Sequence, residues 1–356
     1  MNDILKNKKV LGIIGGVIVL LSVAYIIFVS IDMNRNNNII DDDNNKESEN
    51  VNEDNNETKP VFNIVDVNSD SRPIAVMINN LNAARPYHSG LQDAYIVYEM
   101  IVEGGITRMM ALFKDKDTAR IGSVRSSRHY YLDYALENDA IYVHYGWSPQ
   151  AQEDISKLGV NNINGLYDDA FWRDNTLNVD YEHTAFTSIS KILNVAKKKN
   201  YSLKSNKGLL LNYSSEEIDL NEMDGNISAS SVDIKYSNYI TTSYVYNPTE
   251  KVYYRSVNNK PHKDYVTKKQ FSTKNIIIAY MNSSNISSDS KGRQNLDNIG
   301  SGNGYYITDG KAVPITWSKS SRKDQTVYKY KNGEEIVVND GNTFIQNAPS
   351  NSAVIK

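Results

Sequence analysis

The chain has 356 residues, 40% of them hydrophobic, and a formal net charge of −3 at pH 7. This length allows about two domains, and the charge shows no basic excess of the kind that nucleic-acid binding requires. Because the chain contains no cysteine, disulfides, thiolate metal sites and cysteine nucleophiles are excluded. The 25 tyrosines against 7 phenylalanines indicate a protein rich in half-buried strands.

The N-terminal segment predicts a membrane anchor. Residues 10–31 read VLGIIGGVIVLLSVAYIIFVSI and carry no charge, and about 20 helical residues are enough to cross a bilayer. Because Lys6, Lys8 and Lys9 precede this run and acidic residues follow it, the positive-inside rule places residues 1–9 in the cytoplasm. The alternative is a cleaved signal peptide, but the run is longer than usual and no A-x-A site follows it. We expect a single-pass protein of the cell membrane with extracellular C-terminal domains.

The next segment, residues 32–67, predicts a disordered stalk. Its larger part, residues 32–59, contains ten Asn and nine Asp or Glu against three Lys or Arg. Such a composition offers too little apolar surface to form a core. We therefore expect a flexible acidic tether that holds the folded part away from the membrane.

Residues 68–200 alternate strand and helix patterns, which predicts a mixed α/β ectodomain. The tripeptide Glu103-Gly104-Gly105 predicts a tight turn between two strands. One helix is predicted from its N-cap at Ser148 to its end at Gly159, with weaker or longer candidates at 128–136 and 187–199. Short apolar runs bounded by turn residues predict strands at 74–79, 94–102, 106–113, 119–124 and 140–144.

Residues 225–350 predict a mainly β C-terminal domain, joined to the first by a connector at 201–224. The connector carries an apolar run at 208–211 that fits a strand, and residues 283–291 read as a polar loop. The fold class is therefore α+β, behind a single N-terminal transmembrane helix and a disordered stalk. Strands are predicted at 232–236, 243–246, 251–256, 275–280, 305–308, 312–317, 326–329 and 335–338.

Several segments in fixed order resemble the YerB-like family of bacterial cell-envelope proteins. They are GGITRMMALFKDKDTARIGSVRSSRHYY (104–131), VHYGWSP (143–149), GYYITDGKAVPITWSKSS (304–321) and NDGNTFIQ (339–346). The resemblance covers nearly all of residues 72–349 and implies an envelope location and two domains of unknown function, but no reaction. Family members commonly carry a lipid-modified Cys where this chain has its apolar run, and Ser123 stands where the family tends to have Pro.

The densest polar group of the first region suggests an anion site. Arg108 lies early in the strand at 106–113, and Arg125 follows the strand at 119–124. If these strands pair as antiparallel neighbours, both guanidinium groups and that of Arg128 converge at one sheet end. Guanidinium groups bind phosphate and carboxylate in a bidentate manner. The predicted ligand-binding residues are Arg108, Arg125, Arg128, His144 and Arg173, with Glu99 and Glu103 as supporting acids. The alternative is that the two acids neutralise the arginines as ordinary ion pairs.

Other residues give no comparable indication of chemistry. The spacing of His88, His144 and His183 matches no metal motif, so we expect neither metal nor cofactor. The sequence does not identify catalytic residues, because the S-x-x-K matches at 188–191 and 320–323 lack a K-T-G partner. The three tryptophans, which could stack on sugars or simply pack in the core, are Trp147, Trp172 and Trp317.

Two functions remain open at this point. The first is a membrane-anchored extracytoplasmic module that binds a partner protein or a wall polymer. The alternative is an enzyme acting on an anionic envelope substrate, such as a polyprenyl pyrophosphate-linked polymer. Residues 106–128 are similar in rhythm to wall-polymer transferases of the LytR-CpsA-Psr type, but an Asp after the Arg is missing. Nucleic acid is not an expected partner.

Overall fold

The chain is rich in β-structure throughout the part that the computed structural model describes, residues 62–287 and 289–356. Its strands are β1 (Ile74–Asn79), β2 (Ile96–Ile101), β3 (Thr107–Phe113), β4 (Ile121–Gly122), β5 (Ile141–His144), β6 (Asn162–Asn164), β7 (Phe171–Arg173), β8 (Ala185–Thr187), β9 (Asn212–Ser214), β10 (Ile227–Ser228), β11 (Ser231–Lys235), β12 (Thr241–Asn247), β13 (Val252–Val257), β14 (Lys260–Pro261), β15 (Ser272–Thr273), β16 (Asn275–Tyr280), β17 (Ser283–Asn285), β18 (Gln294–Leu296), β19 (Gly300–Thr308), β20 (Lys311–Lys319), β21 (Val327–Tyr330), β22 (Val337–Asn339), β23 (Thr343–Ala348) and β24 (Ala353–Ile355).

Helices are fewer in the described residues. The helix predicted from Ser148 is confirmed, because the Ser148 side chain accepts a hydrogen bond from the Ala151 N–H and Gly159 ends the helix in a left-handed conformation. The α-helices are α1 (His129–Glu137), α2 (Pro149–Leu158) and α3 (Ile189–Lys198), and short 3-10 turns occupy Arg85–Tyr87, Leu91–Asp93, Glu103–Gly105 and Tyr181–His183. This mixture confirms the α+β class at the level of secondary structure.

One sheet of eleven strands runs through both regions that the sequence separates. Its order is β10-β20-β19-β16-β23-β2-β3-β1-β5-β6, with β21 beside β20. Strand β23 lies at the middle and runs parallel to both β16 and β2. A second sheet has the order β14-β13-β12-β11-β24, with β15 beside β13. The late strand β23 therefore joins the strands of the first region to those of the second.

Each face of the long sheet has its own core. Along β1, Val76 and Ile78 belong to one core, which also contains residues of α3 and of the second sheet. The alternate residues Ala75 and Met77 belong to the other core, which contains most of α1. This alternation follows from the two-residue period of a strand. The sheet is thus a layer between the second sheet with α3 and the helix α1.

Many of the described tyrosines are fully buried, whereas the sequence predicted tyrosines on half-buried strands. Tyr130 and Tyr131 on α1 are almost completely buried, and their hydroxyls donate to the Ile101 and Arg108 carbonyl oxygens at 2.6 and 2.7 Å. A buried hydroxyl needs such a partner to offset its lost hydration. Trp317 is likewise buried and donates from Nε1 to the Tyr280 carbonyl oxygen.

The predicted anchor and most of the predicted stalk, residues 10–31 and 32–61, lie outside the described residues. No helix within residues 62–287 and 289–356 is long and apolar enough to cross a membrane. Residues 62–67, which the sequence assigns to the stalk, belong to the folded part, since the Asn63 and Ile64 backbone N–H groups donate to Asp340 and Val65 is buried.

Candidate anion-binding site

Two predicted site residues, Arg108 and Arg128, share one carboxylate. Glu103 lies in the turn between β2 and β3, and its Oε1 is 2.9 Å from Nη2 of Arg108. Arg128, just before α1, donates from Nε to Glu103 Oε2 at 2.8 Å and from Nη2 to Oε1. Both arginine side chains are buried, and Glu103 is partly exposed. One carboxylate therefore faces two guanidinium groups.

The electrostatics of this group favour the charged forms of Glu103 and Arg108. Burial alone would raise the pKa of Glu103, but the hydrogen bonds from Arg128 and the charges of both arginines outweigh it and lower the pKa to about 2. Burial lowers the pKa of Arg108 to about 10, which keeps it charged at neutral pH. Nη1 of Arg108 donates to the Ser126 carbonyl oxygen, whereas its Nε has no hydrogen-bond partner in the described residues.

The pairing predicted to bring Arg125 to this place is wrong. The segment 119–124 does not pair with β3, because β1 and β2 already occupy both edges of β3. Instead Val124 forms a bridge with Ile78, and the Arg125 N–H donates to the Met77 carbonyl oxygen. Since Asn79 at the end of β1 is paired with Arg108, Arg125 still arrives beside the same sheet end.

Arg125 and Arg173 contact consecutive residues of one segment. Arg125 forms an ion pair with Glu182 at 3.0 Å and donates from Nη1 to the Glu182 carbonyl oxygen. The hydrogen bond from Arg125 to the Glu182 carboxylate lowers the pKa of Glu182. Arg173 donates to the carbonyl oxygen of Tyr181, the preceding residue, at 2.6 Å. The segment at 181–182 therefore holds two guanidinium groups close together.

Arg173 has no acidic partner in the described part of the chain, where no carboxylate oxygen lies within 4.0 Å of it. Its guanidinium lies between the rings of Tyr145 and Tyr181, with its central carbon 4.3 and 4.2 Å from their centroids. We call Arg108, Arg125, Arg128 and Arg173, with Glu103 and Glu182, the arginine cluster. It contains four guanidinium groups and two carboxylates, so its cationic groups outnumber its anionic groups.

His144, also predicted for this site, makes its contacts elsewhere. It is fully buried at the end of β5, with Nδ1 2.8 Å from the Gly146 carbonyl oxygen and Nε2 3.2 Å from the Asn162 side-chain oxygen. Burial lowers its pKa to about 4, so the imidazole is neutral at pH 7. It hydrogen-bonds none of the four arginines of the cluster.

Glu99 also lies apart from the arginine cluster and binds a different arginine. Its Oε2 is 2.7 Å from Nη2 of Arg255 on β13, and both side chains are buried. Its other oxygen, Oε1, accepts hydrogen bonds from Asn80, Thr107 and Thr242. Glu99 therefore neutralises a residue of the second region, and of the two predicted supporting acids only Glu103 contacts the cluster.

A chain of hydrogen bonds runs from Arg255 towards the cluster. Nη1 of Arg255 contacts His262 Nδ1, Nε2 of His262 lies 2.8 Å from His88 Nδ1, and His88 Nε2 contacts the Asn79 carbonyl oxygen. Because Arg255 can only donate and the carbonyl can only accept, both imidazoles fit as neutral rings protonated at Nε2. Burial lowers the pKa of His88 to about 3, which agrees with a neutral ring.

The series of polar contacts continues from the side chain of Asn79. Nδ2 of Asn79 lies 2.8 Å from Nδ1 of His183, whose Nε2 is 3.4 Å from Oε1 of Glu182. Burial lowers the pKa of His183, so this ring also accepts at Nδ1 in neutral form. Sequence reasoning did not single out Asn79, Arg255 or His262, since no local spacing connects positions so far apart.

In the described residues, no three His, Asp or Glu side chains are grouped to hold a metal ion.

The fold and this site define an α+β protein of two sequence regions with no recognised reaction, and the comparisons agree. A family model described as "Protein of unknown function (DUF3048) N-terminal domain" matches residues 63–202, and the corresponding C-terminal domain model matches residues 232–345. The chain is 32% identical over 289 residues to the Bacillus subtilis (strain 168) protein named "Putative lipoprotein YerB". This match covers 79% of this chain and 82% of that relative.

A solved structure agrees with these matches. The crystal structure of the YerB protein from Bacillus subtilis superimposes with a TM-score of 0.70 at 30% identity, covering 80% of this chain and 94% of that one. The chain therefore belongs to the YerB-like family with its two domains of unknown function, and the resemblance read from its motifs is confirmed.

Proposed function

We propose that the protein is a binding module of the bacterial cell envelope that holds an anionic ligand at the arginine cluster. The observation that carries this proposal is the charge of the cluster, where two carboxylates face four guanidinium groups. Positive charges this close repel one another unless an anion lies among them. Arg173, which has an aromatic ring on each side and no carboxylate nearby in the described residues, is the group most available to a ligand.

The ligand class follows from the geometry of the donors. Guanidinium groups offer planar pairs of N–H donors that match phosphate and carboxylate oxygens. Tyr145 and Tyr181 flank Arg173 and add apolar ring surface beside the charge. We infer that the ligand is a phosphate-bearing wall polymer. If the ligand were an acidic protein instead, the complex would survive removal of the polymer.

The proposed location is the outer face of the cell membrane. It is supported by the charge-free run at residues 10–31, the lysines before it and the acidic segment after it, and by a relative whose name includes "lipoprotein". Protease added to intact protoplasts should remove everything beyond residue 31 while a cytoplasmic marker stays intact. Protection of the C-terminal part would contradict this topology.

Binding of pyrophosphate to the full chain in non-ionic detergent tests the ligand class. Arg173→Gln and Arg125→Ala should each weaken binding by about tenfold or more, since a charge-assisted contact is worth roughly 1.5–3 kcal/mol. Arg293→Gln is the matched control, because Arg293 lies on the β17–β18 hairpin and pairs only with Asp289 in the described residues. Equal affinities in all variants would refute an anion site at the cluster. Consumption of a polyprenyl pyrophosphate-linked polymer would favour the alternative, an enzyme.

A further inference from the structure

A second basic site lies away from the arginine cluster, in a cleft of about 410 Å³. One wall is the 3-10 turn Arg85–Tyr87, and the other is β14 with the loop that follows it. We call it the basic cleft and define it by Arg85, Lys260, Lys263 and Lys268. Its volume falls within the range of small-molecule sites, about 300–1,000 Å³.

Arg85 is the fixed cation of the basic cleft. The side chain is largely buried, and its two terminal nitrogens donate to the Asn80 carbonyl oxygen at 2.6 Å and to the Asn82 side-chain oxygen at 2.9 Å. No carboxylate in the described residues lies within 4.0 Å of the guanidinium. Burial lowers its pKa to about 10, so the group remains charged at pH 7. A buried charge of this kind normally has a counter-ion.

The lysines of the cleft add charge that is not neutralised locally. Lys260, Lys263 and Lys268 are exposed, and within the described chain none forms an ion pair. Lys268 lies over the Tyr265 ring, with Nζ 4.0 Å from the centroid. The carboxylate lining the cleft, Asp264, already accepts hydrogen bonds from the backbone N–H groups of residues 90, 266 and 267.

We propose that the basic cleft is a second anion site, for the phosphate group of a phosphate ester. The rigid guanidinium of Arg85 would bind two phosphate oxygens, and the flexible lysines would close around the remaining charge. Pro86, Val257 and Pro261 form apolar wall next to these cations, which fits a carbon group attached to the phosphate better than a free inorganic ion. The site shares no residue with the arginine cluster and does not depend on the function proposed above.

The cleft also joins the two family regions. Arg85 belongs to the segment matched by the N-terminal family model, and the lysines belong to the segment matched by the C-terminal one. The His262 ring, which lines the cleft, lies in the buried network between His88 and Arg255. A bound phosphate ester would therefore contact both regions at once, beside the network that connects them.

Titration calorimetry on the full chain in non-ionic detergent tests this site with two soluble probes. Glycerol 3-phosphate represents a soluble phosphate monoester, and glycerophosphoglycerol represents the headgroup of an anionic phospholipid. We expect at least one probe to bind, and the preferred probe identifies the source of the phosphate. Arg85→Gln and the double variant Lys263→Gln/Lys268→Gln should each weaken binding by about tenfold or more. Because the two lysines are exposed, the double variant remains informative if Arg85→Gln fails to fold.

Two control variants distinguish binding at the basic cleft from binding elsewhere on the protein. Lys197→Gln/Lys198→Gln on α3 removes the same charge from another exposed surface and should leave the affinity unchanged. Arg125→Ala tests whether the probe is at the arginine cluster instead. The proposal is overturned if neither probe binds, if the control lysines matter as much as those of the cleft, or if Arg125→Ala abolishes binding while Arg85→Gln does not.

Discussion

Glu99 and Arg255 form a buried ion pair that ties β2 to β13, with Glu99 Oε2 2.7 Å from Arg255 Nη2. The two residues are 156 positions apart in the chain. Arg255 is one of the largest fully buried side chains of the described residues, and it also contacts His262. The pair lies at the centre of the polar network that connects the two regions of the family.

Removing the charge of Glu99 should strongly destabilise the protein. Glu99→Gln leaves Arg255 buried without a counter-ion, which typically costs about 3–5 kcal/mol. Glu153→Gln is the control, because Glu153 forms an exposed pair with Lys157 on α2 that contributes about 1 kcal/mol or less. Urea unfolding of both variants measures the difference. A loss from Glu99→Gln as small as that of the control would show that the buried pair does not hold the regions together.

Acid should unfold the protein at a mild pH. Burial lowers the pKa of His88 to about 3, that of His144 to about 4 and that of His262 well below 6.5. Below pH 6.5 these histidines therefore become protonated in the unfolded chain while they stay neutral in the folded protein. The free energy of unfolding is fully present above that pH and should fall by up to about 1.4 kcal/mol per pH unit for each of these residues.

Urea unfolding at pH 7.5, 6.5 and 5.5 measures this slope. His144→Asn removes one of the three histidines and should give a shallower dependence on pH, whatever its effect on stability at pH 7.5. A free energy of unfolding that stays constant between pH 6.5 and 5.5 would mean that these rings are solvated or already charged in the folded state.

A methyl group at Gly304 should disrupt the long sheet. A Cβ there would lie 1.8 Å from the Ile278 carbonyl oxygen on the adjacent strand β16. Because this oxygen belongs to a paired backbone, it cannot move aside as a flexible side chain could. We expect Gly304→Ala to lower the free energy of unfolding by about 3 kcal/mol or more. Gly208→Ala, with no atom within 4 Å of the new Cβ, should be nearly neutral. Equal melting temperatures for the two variants would contradict the pairing of β16 with β19.

Local patterns predicted many elements of this fold because their residues carry the information themselves. The strands at 74–79 and 275–280 are nearly all apolar and have the predicted bounds. Strand β23, in contrast, was missed although it is central, because Gln346 and Asn347 interrupt its apolar pattern. The side-chain oxygen of Gln346 accepts a hydrogen bond from Tyr236, a partner 110 positions away that no local pattern could predict.

The same limit applies to the candidate site. Charge and spacing were enough to single out Arg108, Arg128 and Glu103, and both arginines contact the Glu103 carboxylate. The partner of Glu99 could not be predicted, because Arg255 approaches it only when β13 packs on the long sheet. Arg85 could not be predicted for a similar reason. Its burial and the lack of a carboxylate near its guanidinium depend on tertiary structure.

The most direct test of the proposed function is co-sedimentation of the full chain with a purified phosphate-containing wall polymer. We expect binding that weakens as salt is raised and that is lost when phosphate is removed from the polymer. It should fall about tenfold or more in Arg173→Gln but not in Arg293→Gln. Equal binding to the intact and the phosphate-free polymer, or equal binding of both variants, would contradict the proposed function.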